Sequence, residues 1–485
     1  MKVLFATSEC APLVKTGGLG DVSAALPRAL AALGHDVALL MPAYGDMVLA
    51  GQIVGLFAIA PHGPWPAAQL IQLRQDDGFV LYLLSCPQLY ARAGTPYGSP
   101  DGADHADNAF RFGLLSRVAA MIGTQNSPCG WQADIVHAND WPTGLAPLYL
   151  AQARAEASPS GAPVARSLVT IHNLAFQGVF PLQACESLDI PNELRGVDGV
   201  EFWGQMSMLK AGLNFADAIT TVSPTYAREI QSAELGFGLD GVLRERSHVL
   251  HGILNGIDGT IWDPANDPLI AAPYSAESPS GKALNKTALR QQCGLDAGEN
   301  RMLFGLVGRL THQKGVDLIL AGAERMLQQG AQLVVLGSGD AAMQARFAEL
   351  ASRHPAHVSV TLGFNESLAH QIEAGADCFL MPSRFEPCGL NQMYSQIYGT
   401  PPIVTRTGGL ADSVVDADSD QGQGTGFVMP AATQEMFDDA VQRAIAAWKS
   451  PVAWESLQRA GMRQEFGWEA SANAYAGLYA QLLQT

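Results

Sequence analysis

Long apolar runs and basic side chains are both scarce in this chain of 485 residues. No run approaches the ~20 consecutive apolar residues of a membrane-spanning helix, so a membrane protein is not expected. Lysines and arginines number 29 against 46 aspartates and glutamates, a formal net charge of −17. Because nucleic acids and anionic membranes are bound through broad basic surfaces, neither is expected as a partner.

Cysteine pairs with the spacing of a metal site or a disulfide framework are also missing. The seven cysteines are scattered, odd in number and without CxxC spacing. They are interpreted as reduced thiols of a cytoplasmic protein. The apolar stretch at residues 1–7 is too short for a signal peptide and is interpreted as a first β-strand.

Two series of short apolar runs, each run followed by polar residues, indicate an α/β protein with two domains. A single core stops growing near ~250–300 residues, so a chain of this length is expected to divide. Helix-like segments separate the runs, as in parallel sheets. The domain crossing is expected just before the Pro-, Ala- and Ser-rich residues 262–286. The runs occupy residues 3–6, 37–41, 134–137, 167–171 and 218–222, then 302–307, 332–336, 358–362, 378–381 and 402–405.

A glycine-rich loop, residues 15–21 (KTGGLGD), follows the first predicted strand. Gly17 and Gly18 allow backbone N–H groups to approach a phosphate, and Lys15 adds a positive charge. A plain strand-to-helix turn is the alternative, while the GGxG spacing argues against a dinucleotide fingerprint. The residues after the loop have helical spacing, and Pro27 among them predicts a kink or break.

A similar loop recurs in the second half of the chain. Residues 407–412 (TGGLAD) nearly repeat residues 16–21 (TGGLGD), which places Thr407, Gly408 and Gly409 after the last apolar run. One glycine loop in each domain is consistent with a ligand bound between two sheets.

Two cations flank a glycine turn after a strand of the second series. Residues 308–315 have the sequence GRLTHQKG, which includes Arg309 and Lys314. Arginine can bind a phosphate through two parallel hydrogen bonds, and lysine acts as a point charge. Anion binding is favoured because basic residues are so few. The loop is expected to be open, so that loss of either charge leaves no buried counter-ion unpaired and folding nearly unchanged.

A carboxylate and a histidine follow two other predicted strands. Glu386 lies between a strand and a predicted helix, where it can accept hydrogen bonds from sugar hydroxyls. Taken alone, it is better explained as a carboxylate that only complements a helix dipole. His172, which precedes Asn173, is by itself explained as a buried, hydrogen-bonded core histidine.

Two acidic segments imitate metal sites. Residues 416–420 (DADSD) have the DxD spacing of metal-dependent glycosyltransferases, but no apolar strand flanks them and a solvated loop is favoured. Residues 104–107 (DHAD) do not supply a complete ligand set.

Taken together, these motifs resemble the bacterial glycogen synthase and plant starch synthase family, family 5 of the glycosyltransferases. Each stretch is weak evidence alone, whereas the combination in this order is specific. The matching stretches are residues 15–21, 137–140 (HAND), 170–173 (TIHN), 254–258 (LNGID), 308–315, 384–390 (RFEPCGL) and 407–412.

The resemblance implies a GT-B fold, in which two Rossmann-like parallel-sheet domains face each other across a deep cleft. The expected domains are residues 1–250 on the acceptor side and 251–465 on the nucleotide-sugar side. Residues 466–485 are expected to form a helix that returns to the first domain.

The implied reaction is the retaining transfer of glucose from ADP-glucose to the non-reducing end of an α-1,4-glucan such as glycogen. No metal or other cofactor is expected. Front-face attack is favoured, because a close pair of carboxylates is not evident. In this mechanism the leaving phosphate helps to deprotonate the acceptor hydroxyl.

Roles are implied for residues at the matching positions. The acceptor contacts are expected from Tyr97 and Asn173. The groups around the reacting glucose and diphosphate are expected to be Glu386, His172, Asp140, Arg309 and Lys314. The donor is expected to be bound by Lys15, Gly17, Gly18, Asn255, Arg309, Lys314, Cys388, Gly389, Thr407, Gly408 and Gly409.

Three alternatives remain open at this point. Another GT-B glycosyltransferase would use a different donor or acceptor, and the sequence does not distinguish adenine from uracil in the donor. A glucan phosphorylase-like enzyme would release glucose 1-phosphate. A glucan-binding protein without catalysis would leave the cations without a purpose. The oligomeric state is not determined by these patterns.

Overall fold

The computed structural model describes residues 1–45, 47, 51–157, 161–297, 300–419 and 423–484. The chain divides into two compact units, Met1–Gly256 with Trp468–Thr485, and Ile257–Gly467. The predicted boundaries at 250 and 465 are therefore a few residues early. The reason is a pairing inside the second unit, where Ile257 forms a parallel bridge with Gly467 and its N–H donates to the carbonyl of Phe466 at 2.8 Å.

The first unit is built on a nine-stranded sheet with the order β12-β11-β7-β6-β1-β2-β5-β4-β3. From β12 to β5 in this order, every neighbouring pair of strands is parallel. The pairs β5–β4 and β4–β3 are antiparallel. A separate antiparallel sheet has the order β8-β10-β9. The strands are β1 (Lys2–Ala6), β2 (Asp36–Pro42), β3 (Gln52–Ile59), β4 (Ala68–Arg74), β5 (Val80–Ser85), β6 (Ile135–Asn139), β7 (Arg166–Ile171), β8 (Val179–Pro181), β9 (Glu201–Phe202), β10 (Gln205–Ser207), β11 (Ala218–Thr221) and β12 (Leu250–Gly252).

Helices connect these strands. The α-helices are α1 (Gly18–Ala32), α2 (Pro87–Tyr90), α3 (Asn108–Ile122), α4 (Ala146–Ala157), α5 (Ala184–Ser187), α6 (Met208–Phe215), α7 (Pro224–Glu229) and α8 (Asp240–Glu245). Short 3-10 turns occur at Trp141–Thr143, Asn192–Leu194 and Ser247–Val249.

The second unit contains one six-stranded parallel sheet with the order β15-β14-β13-β16-β17-β18. Its strands are β13 (Leu303–Val307), β14 (Gln332–Gly337), β15 (Val358–Leu362), β16 (Cys378–Met381), β17 (Pro402–Thr405) and β18 (Phe427–Met429). Its helices are α9 (Gly281–Gln292), α10 (Val316–Gln328), α11 (Ala341–Arg353), α12 (Glu366–Gly375), α13 (Asn391–Ile397), α14 (Gly408–Ser413), α15 (Gln434–Trp448) and α16 (Pro451–Met462), with a 3-10 turn at His312–Lys314.

Both faces of this second sheet are covered, which explains its continuously apolar strands. In β13, Phe304 and Leu306 belong to one buried cluster, while Leu303 belongs to the cluster on the other face. The predicted α/β class with two Rossmann-like parallel-sheet domains, the GT-B class, is confirmed. The strands β3, β4, β5, β12 and β18 and the small antiparallel sheet were not predicted.

The first helix differs from its prediction. Helix α1 begins at Gly18, inside the glycine loop, and continues through Pro27 to Ala32. Of the predicted kink or break at Pro27, the break is therefore wrong. Pro27 lies between the buried side chains of Leu26 and Leu30, so that tertiary packing offsets the hydrogen bond that proline cannot make.

The last helix, α17 (Trp468–Leu482), packs on the sheet of the first unit. Tyr475 and Tyr479 lie in the same buried cluster as Phe5 of β1. The Tyr479 hydroxyl lies 2.7 Å from Nδ1 of the buried His137, at the centre of the sheet. No helix among the described residues is both long enough and apolar enough to cross a lipid bilayer.

Candidate active site

Four predicted site residues of the first unit follow strands that run parallel in one sheet. Lys15 follows β1, Asp140 follows β6, His172 follows β7 and Asn255 follows β12. Because the carboxyl ends of parallel strands share one edge, the topology brings these side chains to the same edge. Open α/β sheets bind their ligands at this edge.

The glycine loop presents a helix N-terminus. Gly17 is the N-cap of α1, and no side chain caps the helix there. Among the described residues, no heavy atom outside its immediate neighbours lies within 4 Å of where a Cβ of Gly17 would stand. The free space and the helix N-terminus suit an anion. Lys15 forms an ion pair with Asp21, with 2.8 Å between Nζ and Oδ1.

A buried carboxylate that the sequence did not suggest, Glu9, holds this loop in place. Its Oε2 accepts hydrogen bonds from the N–H of Thr16 at 2.5 Å and of Gly17 at 3.3 Å. Its Oε1 accepts from the Thr16 hydroxyl at 2.6 Å and from the Tyr97 hydroxyl at 2.5 Å. The available signal was its place just after β1, at the carboxyl end of a parallel strand.

Asp140 connects the ends of β6 and β7. Its Oδ1 accepts a hydrogen bond from the His172 N–H at 2.7 Å, and its own N–H donates to the Thr170 carbonyl at 2.9 Å. Its φ of 55° is unusual for a residue with a side chain, and such strain is concentrated at functional sites. The pKa of Asp140 is raised to about 7. Burial is the main cause, hydrogen bonds from the N–H groups of His172 and Asn173 lower the pKa, and the Glu9 carboxylate contributes a smaller increase.

His172 is held as a neutral ring. Burial lowers the pKa of His172 to about 3. Its Nε2 lies 2.9 Å from Oδ1 of Asn139, whose amide nitrogen already donates to the carbonyl of Ala6 at 3.0 Å. The Asn139 oxygen must therefore accept, so that Nε2 of His172 carries the proton and Nδ1 is the acceptor.

The remaining predicted residues of the first unit lie in different settings. Asn173 accepts a hydrogen bond from the Ala175 N–H at 3.1 Å, within its own turn. The Tyr97 hydroxyl donates its hydrogen bond to Glu9, and it also lies 2.8 Å from the Ser8 hydroxyl. Asn255 is buried, and its Oδ1 has no hydrogen-bond partner among the described residues. Such an oxygen is costly unless a ligand satisfies it.

In the second unit, three loops converge at the carboxyl ends of the adjacent strands β13, β16 and β17. A Cβ atom added to Gly315 would stand 2.0 Å from the carbonyl oxygen of Pro382. A Cβ atom added to Gly408 would stand 1.9 Å from the backbone carbonyl oxygen of Glu386. Only glycine permits such close approach. The Gly409 N–H donates to the Glu386 carbonyl at 3.2 Å.

The structure joins two predicted site residues directly. Lys314 Nζ lies 2.5 Å from Oε2 of Glu386, whose side chain is almost completely buried. The Ser383 hydroxyl donates to the same oxygen at 3.0 Å. The expectation that removal of Lys314 leaves no buried counter-ion unpaired is therefore wrong, because Glu386 is that counter-ion.

Arg309 has a different environment, since its side chain is exposed. Among the described residues, its guanidinium donates one hydrogen bond, from Nη2 to Oε1 of Gln313 at 3.2 Å. Gln313 in turn donates to the Phe385 carbonyl at 3.3 Å. Most donors of Arg309 thus remain available to an anion near the Lys314–Glu386 pair.

The other predicted donor residues shape the backbone of these loops. Gly389 has a φ of 71°, and α13 begins only at Asn391, so Glu386 lies in a loop before the helix and not in its first turn. The buried Thr407 is the N-cap residue of α14, which begins at Gly408. Cys388 is buried, and a Cβ on Gly409 would stand 2.1 Å from its carbonyl oxygen.

A second arginine of this site was not predicted. Arg384 forms a two-pronged ion pair with Asp317 of α10, with both N–O distances 2.7 Å. The backbone N–H of Arg384 donates to the Gln313 carbonyl at 2.8 Å. Because these contacts link the loops after β13 and β16, Arg384 is assigned a positioning role.

The acidic segment with the DxD spacing, residues 416–420, has structural partners. Asp416 and Asp418 both form ion pairs with Arg443, and Asp416 also accepts a hydrogen bond from the Val428 N–H at 2.6 Å. Asp420 lies outside the described residues. Among the described residues, no three His, Cys, Asp or Glu side chains are grouped as metal ligands would be.

Family models match both units. The starch synthase catalytic domain matches residues 2–245, and the glycosyl transferases group 1 model matches residues 285–460.

Similar proteins span nearly the whole chain. A protein of Paracidovorax citrulli named glycogen synthase is 66% identical over 481 residues, which cover 99% of this chain and 94% of that protein. A glycogen synthase of Dechloromonas aromatica is 51% identical, with 100% and 99% covered.

Solved structures are similar too. The catalytic domain of starch synthase IV from Arabidopsis thaliana, bound to ADP and acarbose, has a TM-score of 0.88 and 34% identity, with 100% of this chain and 99% of that chain covered. A sucrose-phosphate synthase from Thermosynechococcus elongatus has a TM-score of 0.60 with 20% identity and the same coverage, a likeness of fold.

Proposed function

The chain belongs to the starch synthase catalytic-domain family of glycosyltransferases, and from this premise we propose that it transfers glucose from ADP-glucose to the non-reducing end of an α-1,4-glucan. The names of its relatives, glycogen synthase, support this reaction. The ADP bound to the Arabidopsis starch synthase supports adenine in the donor. The observation that carries the proposal is the hydrogen-bonded link from Arg309 through the Gln313 side chain to the Phe385 carbonyl, because Gln313 and Phe385 adjoin the paired residues Lys314 and Glu386.

The bond that breaks joins C1 of glucose to the diphosphate, and negative charge develops on the leaving ADP. Arg309 and Lys314 stabilise that charge where it appears, which is usually the largest contribution to catalysis. Arg309 is the more available of the two, because Lys314 is shared with Glu386. The bond that forms joins C1 to the acceptor oxygen, whose proton passes to the leaving phosphate. Attack from the same face retains the configuration of C1.

Glu386 both orients Lys314 and binds the sugar in this proposal. Its Oε2 receives Lys314 and Ser383. The structure gives Oε1 no hydrogen bond from any described residue, so a sugar hydroxyl is its partner in the proposed complex.

The first unit binds the donor through the glycine loop and surrounds the reacting sugar. When the donor binds, Lys15 leaves its ion pair with Asp21 and pairs with the diphosphate, beside the N-terminus of α1. The neutral ring of His172 does not repel the positive charge that develops at C1, and its carbonyl oxygen stabilises that charge. Because its pKa is about 7, Asp140 at neutral pH can donate a hydrogen bond to a sugar hydroxyl when it is protonated and accept one when it is ionised.

We propose that the reaction needs no metal, because Arg309 and Lys314 supply the positive charge that a divalent cation would otherwise provide. The side chains with the DxD spacing that are described, Asp416 and Asp418, are already engaged by Arg443. Full activity after exhaustive chelation is the expected result. Activity that is lost on chelation and restored by Mg²⁺ or Mn²⁺ would contradict it.

The direct test is incorporation of labelled glucose into glycogen. The chain is incubated with glycogen and either ADP-glucose or UDP-glucose, and label is measured in the precipitated polymer. Incorporation from ADP-glucose is expected, and digestion by an α-1,4-specific amylase should release all of it. Preference for UDP-glucose would contradict the donor assignment.

The same preparation tests the alternatives. Release of glucose 1-phosphate from glycogen and inorganic phosphate would indicate a phosphorylase. Glycogen binding with no turnover of either donor would indicate a binding protein. Arg309→Ala is the matched control, because it removes an exposed charge of the proposed donor site while the remaining contacts of the loop are kept.

A further inference from the structure

A buried glutamine at the start of α13 lies between two loops of the candidate active site. Gln392 is fully buried and is the second residue of this helix. Its Nε2 donates to the carbonyls of Cys388 at 3.1 Å and of Gly389 at 3.0 Å. The same nitrogen lies 3.0 Å from the hydroxyl oxygen of Ser413, the last residue of α14. One side chain therefore contacts both the loop after β16 and the helix after β17.

The chemistry of the neighbouring groups fixes the direction of these hydrogen bonds. The Ser413 hydroxyl donates its one hydrogen to the Gly409 carbonyl at 2.5 Å, so its oxygen accepts from Gln392. The carbonyls of Cys388 and Gly389 can only accept. An amide nitrogen carries two hydrogens, so it can satisfy all three oxygens when the two carbonyls share one of them.

The amide of Gln392 is oriented for its neighbours and not for its own oxygen. Its Oε1 is buried and has no hydrogen-bond partner among the described residues. A Cβ on Gly389 would stand 2.4 Å from this oxygen, so the amide also requires glycine at that position. A buried, unpaired oxygen is destabilising. The three contacts of the nitrogen offset that cost.

These contacts complete a ring of hydrogen bonds around the Glu386 loop. The Gly409 N–H donates to the backbone carbonyls of Glu386 at 3.2 Å and Pro387 at 3.1 Å. The Gly409 carbonyl accepts from Ser413, and Ser413 accepts from Gln392. Gln392 then returns to the same loop two residues beyond Glu386. The loop is therefore held to α14 at two points.

The residue before Gln392 reaches a third loop of the site. Nδ2 of Asn391 donates to the carbonyl of Val307, the last residue of β13, at 2.8 Å. Arg309 follows two residues later in the chain. The first two residues of α13 thus connect the carboxyl ends of β13, β16 and β17.

We infer that Gln392 is a positioning residue for the proposed glucose transfer, because it fixes the Glu386 loop against α14. The inference rests on the proposed function, which assigns Glu386 to the sugar and Gly409 to the donor. A displacement of about 1 Å at a reacting group can cost about 10²-fold in rate, and a closed ring of hydrogen bonds limits such displacement. If Gln392 only satisfied buried carbonyls, its loss would lower stability without slowing the reaction.

The decisive variant is Gln392→Met, which keeps the length of the side chain and removes its donors. Its kcat with ADP-glucose and glycogen, measured well below its melting temperature, is expected to fall about 10- to 100-fold. KM for ADP-glucose should change less than kcat, because the hydrogen bond of Arg309 does not involve Gln392.

Gln396, one turn further along α13, provides the matched control. It is also buried, and its Nε2 donates to the backbone carbonyls of Gln392 and Ser413. Its Oε1, like that of Gln392, has no partner among the described residues. Gln396→Met removes the same group from the same helix but breaks no hydrogen bond to the Glu386 loop. Both variants should melt at a lower temperature than wild type, whereas only Gln392→Met should lose kcat.

A second pair of variants tests the ring from α14. Ser413→Ala removes the oxygen that accepts from Gln392, and Ser413→Thr keeps it. The kcat should fall in Ser413→Ala and stay close to that of wild type in Ser413→Thr. This pair decides the question if Gln392→Met does not fold, since a wild-type kcat in Ser413→Ala would then overturn the inference.

Hydrogen exchange provides a readout that does not depend on turnover. The amide of Gly409, which donates to the Glu386 loop, should exchange faster in Gln392→Met than in wild type or Gln396→Met. A wild-type kcat in Gln392→Met would overturn the inference and leave the proposed function intact. So would equal losses of kcat in Gln392→Met and Gln396→Met, because the effect would then be one of stability. If the wild type transfers no glucose, the proposed function fails. Faster Gly409 exchange in Gln392→Met would then still support the positioning of the loop, and unchanged exchange would overturn it.

Discussion

The Nζ of Lys314 lies 2.5 Å from Oε2 of Glu386, and the two residues are 72 positions apart in the chain. Lys314 ends the 3-10 turn after β13, and Glu386 lies in the loop after β16. Because Glu386 is buried, its carboxylate depends on this cation and on the Ser383 hydroxyl for its stability. We therefore expect the two residues to act as a unit in folding and in the proposed catalysis.

Lys314→Ala is expected to destabilise the second unit as well as to lower activity. Removal of one partner leaves a buried carboxylate without its cation, at a cost of about 1–3 kcal/mol in the free energy of unfolding. The measurement is a thermal melt of the purified variant. The double variant Lys314→Ala with Glu386→Gln should recover much of the loss, because no buried charge remains unpaired. A wild-type melting temperature for Lys314→Ala would contradict the ion pair.

Arg309→Ala is expected to lower kcat by about 10²–10³, as when a positioned donor to the transition state is removed. KM for ADP-glucose should change less, because part of the contact forms only as charge develops. The melting temperature should not change, since the side chain is exposed and makes one hydrogen bond to Gln313. Arg309→Lys should remain impaired, because an ammonium group does not reproduce a two-pronged contact. A near-normal kcat for Arg309→Ala would show that the anion site lies elsewhere.

Asp140 is expected to make the stability of the first unit depend on pH. Its folded-state pKa of about 7 lies above its ordinary value. Between about pH 4 and about pH 7, the folded chain therefore retains a proton on Asp140 that the unfolded chain has lost. The contribution of Asp140 to the free energy of unfolding is fully present below about pH 4 and is lost as the pH rises through about 7.

Asp140→Asn removes this titration and still offers an oxygen to the His172 N–H. Unfolding in urea at several pH values between about 5 and about 8 should show the wild type losing stability relative to Asp140→Asn as the pH rises. The comparison cancels the opposite effect of His172, whose lowered pKa costs stability as the pH falls. A constant difference across this range would contradict the raised pKa of Asp140.

Tyr479→Phe is expected to loosen the contact between α17 and the first sheet. It removes the hydroxyl that lies 2.7 Å from Nδ1 of His137 and leaves a buried polar atom unpaired. The expected loss is about 1–2 kcal/mol in the free energy of unfolding, with little change in KM for ADP-glucose. A double-mutant cycle with His137→Leu separates the pair from general packing. Strictly additive losses would show that the two residues do not interact.

The sequence by itself determined most of the parallel strands of the two large sheets and singled out several of the polar residues that follow them. The five predicted strands of the second sheet correspond to β13–β17, because a strand covered on both faces must be continuously apolar. Arg309 and His172 could be identified because they directly follow such strands. The family resemblance, drawn from motifs at these strand ends, is also confirmed.

Local patterns failed where burial is partial or packing compensates. Strand β3 lies at the edge of the first sheet and β4 is next to it, and both have a mixed pattern of exposure, which gives a weak signal. Pro27 predicted a break that does not occur, because the burial of its neighbours in α1 outweighs the lost hydrogen bond. The two-residue turn between β9 and β10 has Trp203 where asparagine is usual, so it also carries no usual turn signal.

Only the tertiary structure decided which distant residues meet. Glu9 receives the hydroxyl of Tyr97 from 88 residues away, and Lys314 reaches Glu386 across the gap between two loops. These contacts depend on strand order, which places β1 beside β6 and β13 beside β16. Strand order results from the burial and chain connections of a whole sheet at once, so the residues around each strand do not encode it separately.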